Sequence, residues 1–204
     1  MKKLTMPLTE DCVRSLTLGE SVSLNGTIYT ARDAVHHRLA TGNGPLPTGL
    51  DLRSAVLYHC GPVVVKTNGS WRVTAAGPTT STREEPYMAD IIRMYGIKGI
   101  IGKGGMGQKT AAACREYGCV YLHAVGGAAQ VLADSIVEVS DVFFLEEFGA
   151  PEAIWVMQVK NFPAIVTMDA AGQSLHAKVQ TESRQKLEKL VDSGQRTLGD
   201  VSRR

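Results

Sequence analysis

Two glycine-bounded loops constrain the fold of this chain more than any other feature of its sequence. The first spans residues 77–83 (Gly-Pro-Thr-Thr-Ser-Thr-Arg) and the second spans residues 102–107 (Gly-Lys-Gly-Gly-Met-Gly). Each loop follows an apolar, strand-like run and precedes a helix-like run, which is where α/β proteins place their binding and catalytic groups. The sequence therefore predicts an α/β fold with a functional site built from these loops.

The segment between the two loops is predicted to be a helix. Residues 84–95 have Pro86 in the first turn, apolar residues at helical spacing, and Gly96 as a stop signal. A strand–helix–strand unit has a right-handed crossover and parallel strands. Both loops are therefore expected to emerge at the same edge of one sheet.

Polar residues of the two loops should converge at that edge, namely Thr79, Thr80, Arg83 and Lys103. Hydroxyl groups beside fixed cations suit a small anion, most naturally a carboxylate. Arg83 also stands at a predicted helix N-terminus, where the helix dipole disfavours a cation unless an anion offsets it. Arg32, in the first turn of a helix predicted over residues 31–41, invites the same inference. A salt bridge from Arg32 to Asp33 or another acid is the alternative.

Two other interpretations of the loops stay open. The hydroxyl groups of residues 79–82 can cap the following helix, with Glu84 or Glu85 in its first turn. Residues 102–107 also match the dinucleotide-binding glycine pattern. The next strand ends at residues 122–125 (Leu-His-Ala-Val) without the acidic residue that would hold a ribose, so nucleotide binding is the weaker alternative.

The flanking segments are predicted to be mostly β. Residues 21–30 alternate polar and apolar side chains and contain Asn25-Gly26, a two-residue hairpin signal. Further strands are predicted at residues 55–58, 63–66, 71–75, 142–145, 154–159 and 164–168. The expected architecture is a mixed sheet with a β-rich entry and exit around a central βαβαβα unit. Residues 1–180 would form this domain, and residues 181–204 a C-terminal charged helix (182–191) and a frayed tail from residue 194.

The amino-acid composition limits the classes of protein to which this chain can belong. The 204 residues are 44% hydrophobic and 21% charged with a net charge of +2, which suits one globular domain and argues against a nucleic-acid partner. No apolar run reaches the length of a membrane span, and the N-terminus lacks the apolar core of a signal peptide, so a cytoplasmic protein without membrane contact is expected. The cysteines are expected to be mostly buried free thiols with no metal site, and they are Cys12, Cys60, Cys114 and Cys119.

Several segments in register make the chain similar to a known family. Besides the two loops, they are residues 147–155 (Glu-Phe-Gly-Ala-Pro-Glu-Ala-Ile-Trp), residues 162–169 (Phe-Pro-Ala-Ile-Val-Thr-Met-Asp) and residues 30–36 (Thr-Ala-Arg-Asp-Ala-Val-His). In order and spacing, over residues 8–178, the chain resembles the β component of iron–sulfur fumarate hydratases and L-tartrate dehydratases. The resemblance implies a swivelling β/β/α domain that corresponds to the C-terminal part of the single-chain enzymes.

The resemblance also implies a cofactor, a partner and a reaction. A separate α subunit would hold a [4Fe–4S] cluster through its own cysteines, in an α2β2 assembly that acts on a small dicarboxylate. The reaction would be the reversible hydration of fumarate to L-malate, with the dehydration of L-tartrate to oxaloacetate as the alternative. Outside this class, the competing hypothesis is a stand-alone protein that binds an anion or a nucleotide at the same loops.

Individual roles follow from the same resemblance. Thr79 would transfer a proton, and Lys103 would be the catalytic lysine of the glycine loop. The substrate-binding positions would be Arg32, Arg83, Thr80 and Gly104. A free alcohol is a poor base, so Thr79 must either be acidified by an adjacent cation or relay a proton.

Overall fold

The computed structural model describes residues 1–42 and 44–201, and within these ranges the chain is a mixed α/β fold. The strands are β1 (Lys2–Thr5), β2 (Ser21–Thr30), β3 (Val56–Tyr58), β4 (Val63–Thr67), β5 (Ser70–Ala75), β6 (Gly99–Gly102), β7 (Val120–His123), β8 (Ile136–Phe143) and β9 (Ile154–Met168). The helices are α1 (Glu10–Arg14), α2 (Asp33–Thr41), α3 (Glu85–Tyr95), α4 (Gln108–Tyr117), α5 (Ala129–Asp134), α6 (Leu145–Phe148) and α7 (Leu175–Val201), and a 3-10 turn, Ser81–Glu84, precedes α3.

The main sheet has seven strands in the order β1-β2-β3-β6-β7-β9-β8. The pairings from β1 through β7 are parallel, whereas β9 is antiparallel to β7 and β8. β9 is also antiparallel to β2, so β2, β3, β6, β7 and β9 close into a ring. This arrangement confirms the predicted α/β fold with a mixed sheet. The parallel strands place the ends of β2, β3, β6 and β7 at one edge.

Strand alternation divides the buried side chains into two cores. Tyr58, Ile101 and Leu122 belong to one core, and their neighbours Leu57 and Ile100 belong to the other. The second core is covered by apolar side chains of α2, α3 and α4. Successive strand residues point to opposite faces, so one short strand can supply both cores. The functional loops are therefore anchored on both faces of the sheet.

The strand before the first glycine loop lies outside the main sheet, which corrects one prediction. β4 and β5 form a separate antiparallel pair. The main-sheet strand that precedes the loop is β3, which pairs in parallel with β6. The predicted crossover therefore runs from β3 to β6. The order β3, α3, β6, α4, β7, α5 forms the central βαβαβα unit.

The predicted hairpin at Asn25-Gly26 is wrong. β2 passes through both residues as one strand, with a bulge between Leu24 and Gly26 in its pairing with β9. Gly26 has a φ of +107°, and a Cβ atom there would lie 3.1 Å from the carbonyl oxygen of Met6. The glycine thus permits a bulge and a close approach of the preceding chain, two roles that a local turn signal does not distinguish.

The C-terminal third also departs from the predicted strands. The strand expected at 142–145 is β8, which starts at Ile136 and ends at Phe143, and Leu145 already begins α6. The two strands expected at 154–159 and 164–168 are one strand, β9. α7 extends well beyond residues 182–191 in both directions. It includes the first part of the predicted tail, and residues 202–204 lie outside the described residues. Across the described chain, no helix is long and apolar enough to cross a membrane.

Candidate active site

Backbone hydrogen bonds join the two glycine loops at the edge of the sheet. The Thr79 N–H donates to the carbonyl oxygen of His59, just beyond β3, over 2.7 Å. The Lys103 N–H donates to the Thr79 carbonyl over 3.2 Å, and the Ser81 N–H donates to the Lys103 carbonyl over 2.9 Å. Thr80 and Lys103 are paired as an isolated parallel bridge. The structure thus brings Thr79, Thr80 and Lys103 together.

The loop after β7 forms a third wall beside Lys103. A Cβ atom at Gly126 would lie 3.5 Å from Cδ of Lys103, so the lysine stem runs along this loop. A Cβ atom at Gly104 would lie 3.8 Å from the Thr80 methyl group, and Gly104 has a φ of +82°. Thr79 and Lys103 are half-buried, whereas Thr80 and Gly104 are exposed. Thr80 and Gly104 are therefore the members of this junction most open to an approaching ligand.

Arg32 is held at the start of α2 by an acid from another segment. Its Nε lies 3.4 Å from Oε1 of Glu152. The second oxygen of Glu152 accepts the N–H of Ala34 over 3.0 Å, so Glu152 also caps the first turn of α2. A Cβ atom at Gly61 would lie 2.6 Å from Nη1 of Arg32. The salt bridge foreseen for Arg32 as an alternative is confirmed, with Glu152 as its acid.

Arg83 forms an ion pair with Asp33, the residue that follows Arg32. The anion expected beside Arg83 is therefore present in the chain itself. The Arg83 side chain is 54% exposed and that of Asp33 is 43% exposed. An ion pair at this exposure contributes little free energy, so a ligand carboxylate can compete for the guanidinium.

A buried polar cluster lies beneath the loops, and sequence reasoning missed it. Tyr121 Oη donates to Ser81 Oγ over 2.8 Å, and Ser81 Oγ lies 2.9 Å from Nδ1 of His59. The ring centroids of His59 and His36 are 4.8 Å apart. A Cβ atom at Gly102 would lie 1.9 Å from Ser81 Oγ, so only glycine fits there. The cluster fixes the separation of the two loops.

Helical spacing in the sequence could have indicated that one residue of this cluster, His36, is buried. His36 is fully buried and shares the inner face of α2 with Val35 and Leu39. The Nδ1 of His36 lies 2.8 Å from the Arg32 carbonyl oxygen. The capping role expected for the hydroxyl groups of residues 79–82 is wrong, because neither the 3-10 turn nor α3 has a side-chain cap.

Burial sets the charge states of the cluster. It lowers the pKa of His36 to about 4 and holds the pKa of His59 well below its ordinary value, so both imidazoles are neutral near pH 7. Burial, followed by the neighbouring Asp33, raises the pKa of Glu84 to about 8. A hydrogen bond with Glu84 is the first cause that lowers the pKa of Asp33, and the nearby arginines add to it.

The glycine loop does not offer a free helix N-terminus to a phosphate. Glu85 occupies that position: its Oε2 accepts the Gly107 N–H over 2.7 Å and its Oε1 accepts the Lys109 N–H over 3.0 Å. The Thr110 hydroxyl donates to Oε2 over 2.7 Å. A phosphate bound there would meet a carboxylate. This geometry disfavours the nucleotide-binding alternative.

The cysteines do not fit an iron–sulfur cluster. Cys60, Cys114 and Cys119 are buried free thiols, as expected, and Cys12 is half-buried. Burial raises the pKa of Cys60 to about 12, and the neighbouring Cys119, with burial, raises that of Cys114 well above its ordinary value. Cluster ligands are thiolates, which these surroundings disfavour. Among the described residues, no group of three or more histidine, cysteine or acidic side chains is arranged to hold a metal.

Two cavities lie close to the candidate site. A cavity of about 630 Å³ lies between the glycine loop, α4 and the start of α7, and a second of about 470 Å³ lies between α2 and α6. The first includes Gly104, but neither is lined by Arg32, Thr79, Arg83 or Lys103. These four side chains therefore lie outside both cavities.

Residues 2–179 match the family model described as the fumarase C-terminus. The chain belongs to this family. The match spans nearly all of the domain and includes both glycine loops, which confirms the resemblance inferred from the motifs.

Three relatives illustrate the family. A Geobacillus stearothermophilus protein provisionally named fumarate hydratase class I is 52% identical over 185 residues, which are 90% of this chain but 35% of that protein. A Methanocaldococcus jannaschii protein provisionally named L(+)-tartrate dehydratase subunit beta is 42% identical over 90% of this chain and 95% of that protein. The L(+)-tartrate dehydratase subunit beta of Escherichia coli K12 is 36% identical over 87% of this chain and 88% of that protein. The chain thus spans about a third of the first relative and most of the other two.

Proposed function

We propose that this chain is the β subunit of a hydro-lyase that catalyses the reversible hydration of fumarate to L-malate. The observation that carries the proposal is the junction of the two loops, where Thr79 and Lys103 are hydrogen-bonded at the sheet edge beside two arginines. The names of the relatives, a fumarate hydratase class I and two tartrate dehydratase β subunits, support this reaction class.

The proposed substrate-binding residues comprise two arginines and two uncharged residues. Arg32 and Arg83 bind the two carboxylates, because each guanidinium carries several donors in addition to those used by its own acid. Thr80 and Gly104 line the exposed side of the same edge. A dianion with carboxylates at both ends is therefore the ligand class that suits the site.

Thr79 is proposed to move the proton. Its hydroxyl group is half-buried, and its backbone is fixed by hydrogen bonds to His59 and Lys103. A cation beside the Thr79 hydroxyl, supplied by Lys103 or Arg83, would favour the alkoxide form of Thr79 and make the alcohol a better base. Proximity of a cation and a fixed backbone are both required, because an ordinary alcohol scarcely ionises near pH 7.

A partner subunit is proposed to complete the site. The four side chains lie on an open edge, and the buried thiols of this chain do not suit an iron–sulfur cluster. A [4Fe–4S] cluster would therefore be held by the cysteines of an α subunit that docks on this edge, in an α2β2 assembly. The chain would serve as the swivelling β/β/α domain of that assembly.

The decisive test replaces Thr79 in the assembled enzyme. Thr79→Ala should lower kcat by about a hundredfold to ten-thousandfold, the usual range for a general acid or base. Binding of a dicarboxylate should persist, because Arg32 and Arg83 remain. Thr82→Ala, an exposed threonine in the turn that follows, is the matched control and should change kcat by less than a few-fold. A kcat of Thr79→Ala near that of the control would exclude Thr79 from proton transfer.

Dehydration of L-tartrate is the second candidate reaction. Its specific support is the pair of relatives, 42% and 36% identical, that match this chain over nearly their full lengths and are named tartrate dehydratase β subunits. Fumarate and tartrate share two carboxylates and differ in hydroxyl groups. A comparison of kcat/KM for malate and tartrate in the assembled enzyme separates the two reactions.

A further inference from the structure

Glu84 is a carboxyl group in a position that disfavours its charge. Its side chain is fully buried, and neither carboxyl oxygen receives a hydrogen bond from a donor in the described chain. A buried carboxylate without donors is strongly unfavourable. A neutral carboxylic acid fits the position, because it supplies a donor of its own.

Among the residues that the structure describes, the groups around Glu84 include no buried cation that could neutralise it. The titratable and charged groups that face it are Asp33 and His36 of α2, Arg83 of its own turn, Glu152 of the segment before β9, and His59 behind His36. Nδ1 of His36 lies 3.4 Å from Oε2 of Glu84, but this nitrogen is also 2.8 Å from the Arg32 carbonyl oxygen, to which its N–H donates. His36 is neutral, so the contact is not an ion pair.

Asp33 is the group that can accept the proton of Glu84. The Asp33 carboxylate is partly exposed and paired with Arg83, both of which favour its charged form. Two neighbouring carboxyl groups share one proton more readily than they both ionise. The proton belongs on Glu84, which is the buried member of the pair.

We propose that Glu84 is a positioning residue that acts through Asp33 on Arg83. Its neutral carboxyl group donates a hydrogen bond to the Asp33 carboxylate, and Asp33 in turn orients the Arg83 guanidinium at the site edge. The inference deepens the proposed function and rests on it, because the ligand of Arg83 is taken to be a dicarboxylate.

Under this proposal, the affinity for substrate depends on whether the Glu84 carboxyl group carries its proton. With Glu84 neutral, Arg32 pairs with Glu152 and Arg83 pairs with Asp33, and Lys103 adds one further positive charge to the site edge. Loss of the Glu84 proton adds a third negative charge and cancels the surplus that attracts a dianion. KM for the dicarboxylate should therefore rise above about pH 8, by up to about tenfold per pH unit, with a smaller effect on kcat.

The pH dependence of KM tests the proposal in the assembled enzyme. KM and kcat are measured from about pH 6.5 to about 9.5 for wild type, Glu84→Gln and the control Glu138→Gln, an exposed residue of β8. Glutamine keeps a donor toward Asp33 and cannot ionise. The alkaline rise in KM should be present in wild type and in the control but absent in Glu84→Gln. A rise that persists in Glu84→Gln at the same pH overturns the proposal.

Two further measurements keep the proposal testable if Glu84→Gln fails to assemble or if turnover is absent. Calorimetric binding of succinate to the wild-type assembly in buffers of different ionisation enthalpy should show proton uptake near pH 8, and no uptake there overturns the proposal. Carbon-13 NMR of the carboxyl groups should show Glu84 titrating well above an ordinary glutamate. An ordinary titration overturns the Glu84–Asp33 pair, whereas a raised one in an assembly without hydratase or dehydratase turnover refutes only the proposed function.

Discussion

Arg32 and Arg83 each hold an acid of their own chain, and this pairing shapes how they can bind a ligand. Glu152 also caps α2, so the Arg32 position is tied to the helix start. The Asp33–Arg83 pair is more exposed and less constrained. Arg32 is therefore the fixed anchor of the site and Arg83 the adjustable one.

Arg83→Lys tests whether the planar geometry of the Arg83 guanidinium matters in addition to its positive charge. Lysine keeps the positive charge but loses the planar fork that can bind Asp33 and a substrate carboxylate together. In the assembled enzyme, kcat/KM should fall by the equivalent of about 1.5–3 kcal/mol, the scale of a hydrogen bond to a charged group. Part of the loss should appear in KM and part in kcat, because the contact exists before and during the reaction.

Arg93→Lys is the matched control for this substitution. Arg93 is an exposed arginine of α3 that pairs with Asp90 away from the loops. Its replacement should leave kcat and KM unchanged. Unchanged parameters for Arg83→Lys as well, with both malate and tartrate, would contradict the assignment of Arg83 to the substrate.

The polar residues of the site divide into those that sequence could predict and those it could not. The proximity of Thr79 and Lys103 follows from parallel strand topology, which local patterns reveal. The buried cluster of His59, Ser81 and Tyr121 depends on which side chains face each other across three elements. That information is tertiary, and one sequence does not contain it in any local pattern.

Glu85 shows how one element can stabilise the start of another. It lies in the first turn of α3, yet its carboxylate accepts hydrogen bonds from the first turn of α4. The glycine loop therefore ends in a helix whose N-terminus is satisfied from across the site. This contact links the two glycine loops through their helices as well as through their backbones.

Removal of this capping carboxylate should destabilise the chain. Glu85→Ala leaves the N–H groups of Gly107 and Lys109 and the Thr110 hydroxyl without their acceptor, and the expected loss is about 1–3 kcal/mol in the free energy of unfolding. Denaturant unfolding of the isolated chain measures it. Glu116→Ala, an exposed residue in the last turn of α4, should change stability by less than about 0.5 kcal/mol. Equal effects of the two substitutions would contradict the capping role.

Helices were easier to predict than strand partners. α3 ends at Gly96, which lies in the left-handed region, as the stop signal in the sequence indicates. The strand character of β5 was also correct. Its place in a separate sheet was not predictable, because alternation reports which face of a strand is buried but not which strand pairs with it.

At the scale of the whole molecule, the position of the proposed site and the surroundings of the thiols bear on whether the chain acts alone. Within the described residues, Arg32, Thr79, Arg83 and Lys103 lie outside both cavities, and the surroundings of Cys60 and Cys114 raise the pKa values of their thiols. A chain of this kind can be folded and still lack activity. The proposed function therefore requires another subunit to complete the site.

The isolated chain should therefore be colourless and inactive. Purified under anaerobic conditions and treated with iron and sulfide, it should show no broad visible absorption, because its thiols do not suit a cluster. Hydratase and tartrate dehydratase activity should appear only when the cysteine-bearing partner is added. A brown, active preparation of this chain alone would refute the proposed division of labour between subunits.

The β4–β5 hairpin gives the molecule an optical property of its own. The chain has two tryptophans, Trp71 on the hairpin and Trp155 on β9, and their ring centroids are 5.1 Å apart at an interplanar angle of 77°. Lys66 lies over the Trp71 ring, 5.1 Å from its centroid. Indoles this close couple their electronic transitions, so near-ultraviolet circular dichroism reports directly on whether the hairpin is docked. The hairpin leads directly into the loop that carries Thr79. The circular dichroism signal of the two tryptophans therefore reports whether the segment that precedes this loop is ordered, without any added label.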